Sequence, residues 1–327
     1  MSNVSRRRAH EAGAMKSIAR QQALLLHYCL LAGACGLLLV SMTALAQPKH
    51  PATKNFTLGF SLDLFEGSDA RDATAAIEIY AKEVSTLGGN KYSINAIVFD
   101  NTASLVDAVR HGAIQLVVLP TLDYFNVKTL CALEPAAIAT GRAAYGDEYV
   151  LLVHQASAMA TLQDLKGKTV SMLSNARGEI MRRWMEAEWL RAKLPTTPDK
   201  LYTLKAVTKE SQAVMAVFFR QSDACTVTKS CLQTMAELNP QLKRDLKIVR
   251  TSPRLLYSLF CVVPDMDAAD KAGLMETITG MDRSSAGRHI LTMFQLHRVV
   301  TFQPDFISTM LALVKEPRIA QLQKRKR

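Results

Sequence analysis

Apolar and polar positions along the chain alternate between two periods, which predicts strands and helices in turn. Residues 56–61 have the pattern of a first strand, and residues 70–87 place apolar side chains at helical spacing. A second strand is predicted over residues 92–98. Residues 114–119 are apolar throughout, a pattern typical of a strand buried on both faces in a parallel sheet. The alternation therefore predicts an α/β chain.

Two later strands differ from the others, because they lead into and out of a second α/β segment. Residues 149–154 enter that segment and residues 256–263 leave it. We therefore predict two lobes, each a mostly parallel sheet flanked by helices, joined by two crossing strands. The predicted boundaries are a signal peptide over 1–46, a linker over 47–55, the first part of lobe I over 56–148, a hinge strand with lobe II over 149–257, the return strand with the rest of lobe I over 258–316, and a basic tail over 317–327.

The most apolar stretch lies near the N-terminus and resembles a secretory signal. Lys16 and Arg20 precede an apolar run over 23–40, and Ala44-Leu-Ala46 is a small-x-small cleavage site before Gln47. An uncleaved membrane anchor is the alternative, but two glycines within the run favour cleavage. The pattern predicts export to the periplasm.

The charge balance suits a small anionic ligand. Of the 40 Lys and Arg residues five precede the cleavage site, and of the 29 Asp and Glu residues one does, so the mature chain carries +7. Such an excess is also common on solvated surfaces. No aromatic residues interleave with the basic tail, which we interpret as a disordered end rather than a nucleic-acid contact.

Four cysteines follow the cleavage site, which allows three pairings in an oxidising compartment. Cys225 and Cys231 are close in sequence, and we predict a disulfide between them that stabilises the fold by about 2–3 kcal/mol. The pairing of Cys131 and Cys261 stays open. No histidine lies at ligand spacing beside these cysteines, so we expect no metal site.

Three segments carry motifs of known proteins. Residues 111–121 read HGAIQLVVLPT, residues 161–172 read TLQDLKGKTVSM, and residues 287–300 read GRHILTMFQLHRVV. Together they resemble the periplasmic substrate-binding proteins of phosphate, phosphite and phosphonate ABC transporters. The order and spacing match that family across residues 56–315. The resemblance implies a two-lobed type II periplasmic binding protein fold, with the ligand held between lobes that close by a hinge.

One segment departs from the family pattern. Where the phosphonate binders carry a Ser/Thr-rich run with glycine, this chain has Leu173-Ser-Asn-Ala-Arg-Gly178. Ser174 and Asn175 keep hydrogen-bonding groups, and Arg177 adds a cation capable of a bidentate contact. A carboxylate ligand fits as well as a phosphonate. The alternative is helix capping by Ser174 or Asn175, with Arg177 in solvent.

Other candidates lie at strand ends, with turns, helix caps and surface positions as their alternatives. Asp63 follows the first strand. Asp223 could contact a ligand amine or orient a hydrogen-bond donor. Arg254 could contact an anion, or it could lie on the surface. The predicted ligand-binding residues are Ser61, Phe65, Thr121, Tyr124, Ser174, Asn175, Arg177, Gly178, Asp223 and Arg254.

No motif of catalysis accompanies these residues: the chain has no G-x-S-x-G, H-E-x-x-H, G-x-G-x-x-G or P-loop sequence. We expect no enzyme and no cofactor. The predicted function is that of a monomeric, exported solute-binding protein that captures a phosphonate-like, phosphate-like or carboxylate ligand for an ABC permease. The alternative is a periplasmic sensory module that acts on a membrane receptor or kinase, because one fold serves both roles.

The mature protein is expected to begin near Gln47, because the cleavage site follows the apolar run directly. N-terminal sequencing of exported protein tests this. Exported protein that still contains Leu37–Val40 would contradict it.

Overall fold

The structure is a computed structural model that describes residues 53–65, 70–89, 91–141, 145–193 and 201–315. The predicted signal peptide and basic tail lie outside these ranges. Within them, no helix combines the length and hydropathy that a membrane crossing requires.

The first sheet takes strands from both ends of the described chain. Three neighbouring strands run parallel, and the next three alternate in direction. In spatial order the strands are β2 (Tyr92–Phe99), β1 (Lys54–Ser61), β3 (Leu116–Pro120), β10 (Ser258–Val262), β4 (Glu134–Thr140) and β11 (Arg298–Thr301).

The second sheet is formed entirely by the chain between those two groups of strands. Three strands are parallel, and the strand that enters the sheet runs antiparallel to both its neighbours. In spatial order the strands are β7 (Thr203–Val207), β6 (Thr169–Leu173), β8 (Ala224–Thr228), β5 (Tyr149–His154) and β9 (Leu246–Thr251).

Helices flank both sheets, so the predicted two-lobed α/β architecture is confirmed. In each sheet four strands share one direction, and the strands that run against it are β5 in the second sheet and β10 and β11 in the first. The reason is that the chain enters β5 and β10 at the edge where β8 and β3 end, which forces the opposite direction. The helices are α1 (Ala70–Leu87), α2 (Thr102–Arg110), α3 (Thr121–Cys131), α4 (Ala176–Arg191), α5 (Glu210–Phe218), α6 (Lys229–Leu238), α7 (Pro240–Asp245), α8 (Ala268–Thr279), α9 (Ser285–Met293) and α10 (Ser308–Lys315).

The buried apolar residues lie where the sequence predicts the core. The buried face of α1 includes Ala73, Ile77, Tyr80 and Val84, at the predicted helical spacing. All five residues of β3 are buried, as the continuous apolar run predicts. Burial of each such aliphatic side chain contributes about 1.5–3 kcal/mol, so these two elements anchor the first lobe.

Two extended segments, residues 145–148 and 252–257, connect the sheets. They pair at Asp147 and Leu255, where each backbone N–H donates to the other residue's carbonyl oxygen at 2.9 Å. Gly146 has φ +69°, and a Cβ there would lie 3.0 Å from the Leu255 carbonyl oxygen. Glycine is therefore required at this crossing. We call these two segments the hinge.

The predicted Cys225–Cys231 disulfide is not formed in the structure. Cys225 lies on β8 and faces the core between β5 and α5. Cys231 lies on the first turn of α6, where its backbone N–H donates to the Thr228 hydroxyl. The helix cap thus sets the position of Cys231 while core packing directs the Cys225 side chain inward.

Thiol labelling of the folded protein should modify Cys231 well before Cys225 or Cys261. Burial raises the pKa of both buried thiols, and only thiolates react readily. Mass spectrometry of peptides labelled before and after denaturation, without reductant, measures the order. If Cys225 and Cys231 still resist labelling in the denatured protein, the predicted disulfide is present.

Candidate functional site

The carboxyl edges of the parallel strands in both sheets lie next to the hinge. A cavity of about 440 Å³ is found there, with walls from both lobes. In open α/β sheets this edge is where ligands bind. The lining residues are Asp63, Leu122 and Asp123 from the first lobe and Met172, Leu173, Ser174, Asn175, Ala176, Gly178, Glu179, Arg182 and Leu204 from the second.

The N-terminus of α4 forms the wall from the second lobe. Asn175 caps the helix, its side-chain oxygen accepting from the Gly178 N–H at 3.1 Å. The hydroxyl of Ser174 donates to the Val207 carbonyl oxygen at 3.3 Å. A Cβ on Gly178 would lie 1.9 Å from the Leu173 carbonyl oxygen, so only glycine lets the helix start this close to β6. The positive end of the helix dipole therefore borders the cavity.

Three carboxylates share the cavity: Asp63 and Asp123 from the first lobe and Glu179 from the second. The pKa of Asp123 is raised to about 6, mainly by burial and further by the charges of Asp63 and Glu179. Groups of like charge in a partly desolvated site disfavour one another's ionisation. The cavity is thus more acidic than the net charge of the chain suggests.

Arg182 brings a guanidinium to the same wall, but carboxylates hold it on both sides. Its Nε donates to Glu179 at 2.8 Å, and its Nη1 forms an ion pair with the buried Glu186. The side chain of Arg183 also reaches Glu179, at 2.9 Å. The cationic charge of this helix is therefore largely compensated within the helix itself.

Arg177, predicted as an anion ligand, does not line the cavity. Its Nη1 lies 2.5 Å from the Asp147 carboxylate, and its guanidinium lies 4.1 Å from the centre of the Tyr257 ring. Helical side chains lean toward the N-terminus of their helix. Because of this direction, the side chain of Arg177, the second residue of α4, lies in the hinge and not in the cavity.

The two candidates at the end of the first strand, Ser61 and Phe65, do not line the cavity. Ser61 is the last residue of β1 and lies beneath the cavity wall rather than in it. Phe65 packs against Phe60 and Phe294, with ring centres 6.4 and 6.3 Å apart. The neighbouring Asp63 lines the cavity instead.

Candidates after the third strand are also buried. The Thr121 N–H donates to the Tyr257 carbonyl oxygen at 2.8 Å, which ties the start of α3 to the hinge. Tyr124 packs against Phe125, with Lys128 5.8 Å from its ring centre. The next residues, Leu122 and Asp123, form the cavity wall.

Two candidates lie away from the cavity. Asp223 accepts from the Thr169 N–H at 2.8 Å, which places it at the amino end of β6 and β8, across the sheet from the carboxyl edge. β8 begins at Ala224, directly after Asp223, so this side chain lies at the start of the strand and not at its carboxyl end. Arg254 is an exposed hinge residue whose Nη2 lies 3.8 Å from Glu148.

The structure therefore brings Ser174, Asn175 and Gly178 together at the cavity. Sequence reasoning did not single out Asp123, Glu179 or Arg182. Their signal was positional: Asp123 and Glu179 occupy the first turns of helices that follow parallel strands. Among the described residues, no group of three His, Cys, Asp or Glu side chains is arranged to hold a metal ion.

Two mixed sheets, a paired hinge and a cavity between the lobes define a two-lobed binding protein. A family model described as "ABC transporter, phosphonate, periplasmic substrate-binding protein" matches residues 78–305, and the chain belongs to this family. It is accordingly a solute-binding component of an ABC transporter. No curated protein matches the chain.

Solved structures share the fold at low sequence identity. XAC2383 from Xanthomonas citri, bound to chloride ion, has a TM-score of 0.62 at 16% identity, over 80% of this chain and 96% of that one. PhnD1 from Prochlorococcus marinus, in complex with methylphosphonate, has a TM-score of 0.59 at 16% identity, over 81% and 98%. A binding protein component of an ABC phosphonate transporter from Pseudomonas aeruginosa has a TM-score of 0.57 at 16% identity, over 80% of this chain and 86% of that one.

Asp123→Asn should stabilise the protein at pH 7 by about 1–2 kcal/mol, allowing for solvent screening, and leave it unchanged near pH 4. The folded-state pKa is raised, so the folded state binds more protons and wild-type stability falls as pH rises from about 4 to about 6. Denaturant titrations at both pH values measure the difference. Asp265→Asn, at an exposed carboxylate, is the control. An equal gain in stability at pH 4 would contradict the explanation by the raised pKa of Asp123.

Proposed function

We propose that the cavity binds a small phosphonate-like ligand that also carries an ammonium group, as an aminoalkylphosphonate does. The observation that supports this is the composition of the cavity wall. One side offers the positive end of α4, and the other side offers Asp63 and Asp123, with Glu179 nearby.

The anionic group of such a ligand has a natural position at the start of α4. The first N–H groups of a helix lack partners within it and favour negative charge. Ser174 adds a hydroxyl at the same place. Phosphonate chemistry follows from the family and agrees with the methylphosphonate named for the Prochlorococcus marinus protein.

The proposed ammonium group of the ligand is attracted by the carboxylates of the cavity wall. A purely anionic ligand would meet the carboxylates of Asp63 and Asp123, whereas Glu179 is paired with Arg182 and Arg183. The arginine of the wall, Arg182, is already paired with Glu179 and Glu186. A cationic group on the ligand offsets the repulsion that the protein's own side chains leave.

Capture follows from the geometry of the walls. Because each lobe contributes part of the cavity, a ligand that contacts both walls favours the conformation in which they are close. We further propose that residues 1–46 direct export, in keeping with the periplasmic location of the family. We expect the closed, ligand-bound protein to deliver its ligand to an ABC permease.

Calorimetry on ligand-free protein with aminomethylphosphonate, methylphosphonate and inorganic phosphate tests the proposed ligand class. Aminomethylphosphonate is expected to bind at least about tenfold more tightly than methylphosphonate, because a charge-assisted hydrogen bond contributes roughly 1.5–3 kcal/mol. Asp63→Asn should reduce that preference, and the control Asp265→Asn should keep it.

Equal or tighter binding of methylphosphonate or inorganic phosphate would refute the ammonium subsite. Loss of the preference in Asp265→Asn as well as Asp63→Asn would show that net charge, and not the cavity, selects the ligand.

A further inference from the structure

Arg177 is the point at which the ligand-binding helix contacts the hinge. It belongs to the same turn of α4 as Gly178 and Glu179, which line the cavity. Its side chain leaves that wall and reaches both hinge segments, pairing with Asp147 of the first and stacking on Tyr257 of the second. A single guanidinium therefore joins three separate parts of the chain.

The partner of the guanidinium occupies a critical place in the hinge. The backbone of Asp147 forms the two 2.9 Å hydrogen bonds with Leu255 that hold the segments side by side. The side chain of Arg177 is 19% exposed and that of Asp147 30% exposed, so solvent screens the pair less than a surface pair. Removal of either partner leaves the other charge poorly solvated.

Tyr257 carries the contact onward to the first lobe. Its hydroxyl donates to the Asp63 carbonyl oxygen at 2.6 Å. Its own carbonyl oxygen accepts from the Thr121 N–H at 2.8 Å. Asp63 lines the cavity, and Thr121 begins the helix whose next two residues do so. Direct contacts thus run from one wall of the cavity, through the hinge, to the other wall.

We propose that Arg177 is a positioning residue that sets the angle between the lobes, and does not act as a ligand for the solute. Rotation of one lobe against the other changes the backbone of the hinge segments, and the guanidinium contacts both segments at once. While its contacts to Asp147 and Tyr257 persist, α4 and the two segments move as one body. Without them, the hinge samples a wider range of angles.

Distance measurements between spin labels on the two lobes test this without any ligand. Labels attached after Lys82→Cys on α1 and Glu237→Cys on α6, in a Cys231→Ser background, report the lobe separation; Lys82 and Glu237 are exposed. Arg177→Met and Asp147→Asn are each expected to broaden the distance distribution. The double variant should broaden it no further, because both changes remove one contact.

Arg191→Met is the matched control, since Arg191 ends the same helix and pairs with Glu188 away from the hinge. It should leave the distribution unchanged. Tyr257→Phe keeps the stacked ring but removes the hydroxyl contact to Asp63, and should give a smaller broadening. If Arg177→Met does not fold, Asp147→Asn and Arg177→Lys, which loses the planar fork, provide the same comparison.

A distribution in Arg177→Met that matches wild type would overturn the proposal. A lower melting temperature with an unchanged distribution would assign Arg177 a purely structural role. A second readout rests on the proposed function: Arg177→Met should weaken the binding of aminomethylphosphonate, because a wider range of lobe angles lowers the fraction of protein in the binding-competent conformation. If wild type binds no aminomethylphosphonate, the proposed ligand fails, whereas the label distances still decide the role of Arg177.

Discussion

The structure depends on the pairing of two hinge segments at Asp147 and Leu255. Two backbone hydrogen bonds fix the segments side by side, and Gly146 permits the close approach that those bonds require. Within the described residues, the chain crosses between the sheets as these two short segments. The helix α10, which follows the last strand of the first sheet, also packs against α4 of the second lobe. The carboxyl edges of both sets of parallel strands meet beside the hinge, and the cavity follows from that arrangement.

The charges near the hinge are sorted into two groups. Arg177 and Asp147 neutralise each other within the hinge, and Glu179 pairs with Arg182 and Arg183, whereas Asp63 and Asp123 also face the cavity. In the proposals above, the cationic side chain has a positioning role, and recognition falls to a helix N-terminus and carboxylates. A chain with a net positive charge thus lines its cavity with three acidic side chains and one arginine.

Membership of the family accounts for the two-lobed architecture. Phosphonate binding proteins share the fold at about 16% identity, so the common element is the two-lobed frame. Loops at strand ends tolerate change better than the buried strands that position them, so this frame constrains the strands more than the cavity lining. The segment from Leu173 to Gly178, where this chain departs from the family pattern, lies in the cavity wall except for Arg177.

The sequence by itself determined the fold class, because apolar periodicity reports burial directly. The fully buried β3 and the inner face of α1 are examples. The sequence also located Ser174, Asn175 and Gly178, since a helix start after a parallel strand has one position relative to the sheet.

Only the tertiary structure decided the direction in which individual side chains point. Arg177 and Gly178 are adjacent in sequence, yet one reaches the hinge and the other lines the cavity, because a helix turns by about 100° per residue. Asp223 directly precedes β8, so it lies at the amino end of that strand and outside the cavity wall. The cluster of Asp63, Asp123 and Glu179 joins residues from three distant parts of the chain, and a linear pattern carries no signal of which strand ends will meet.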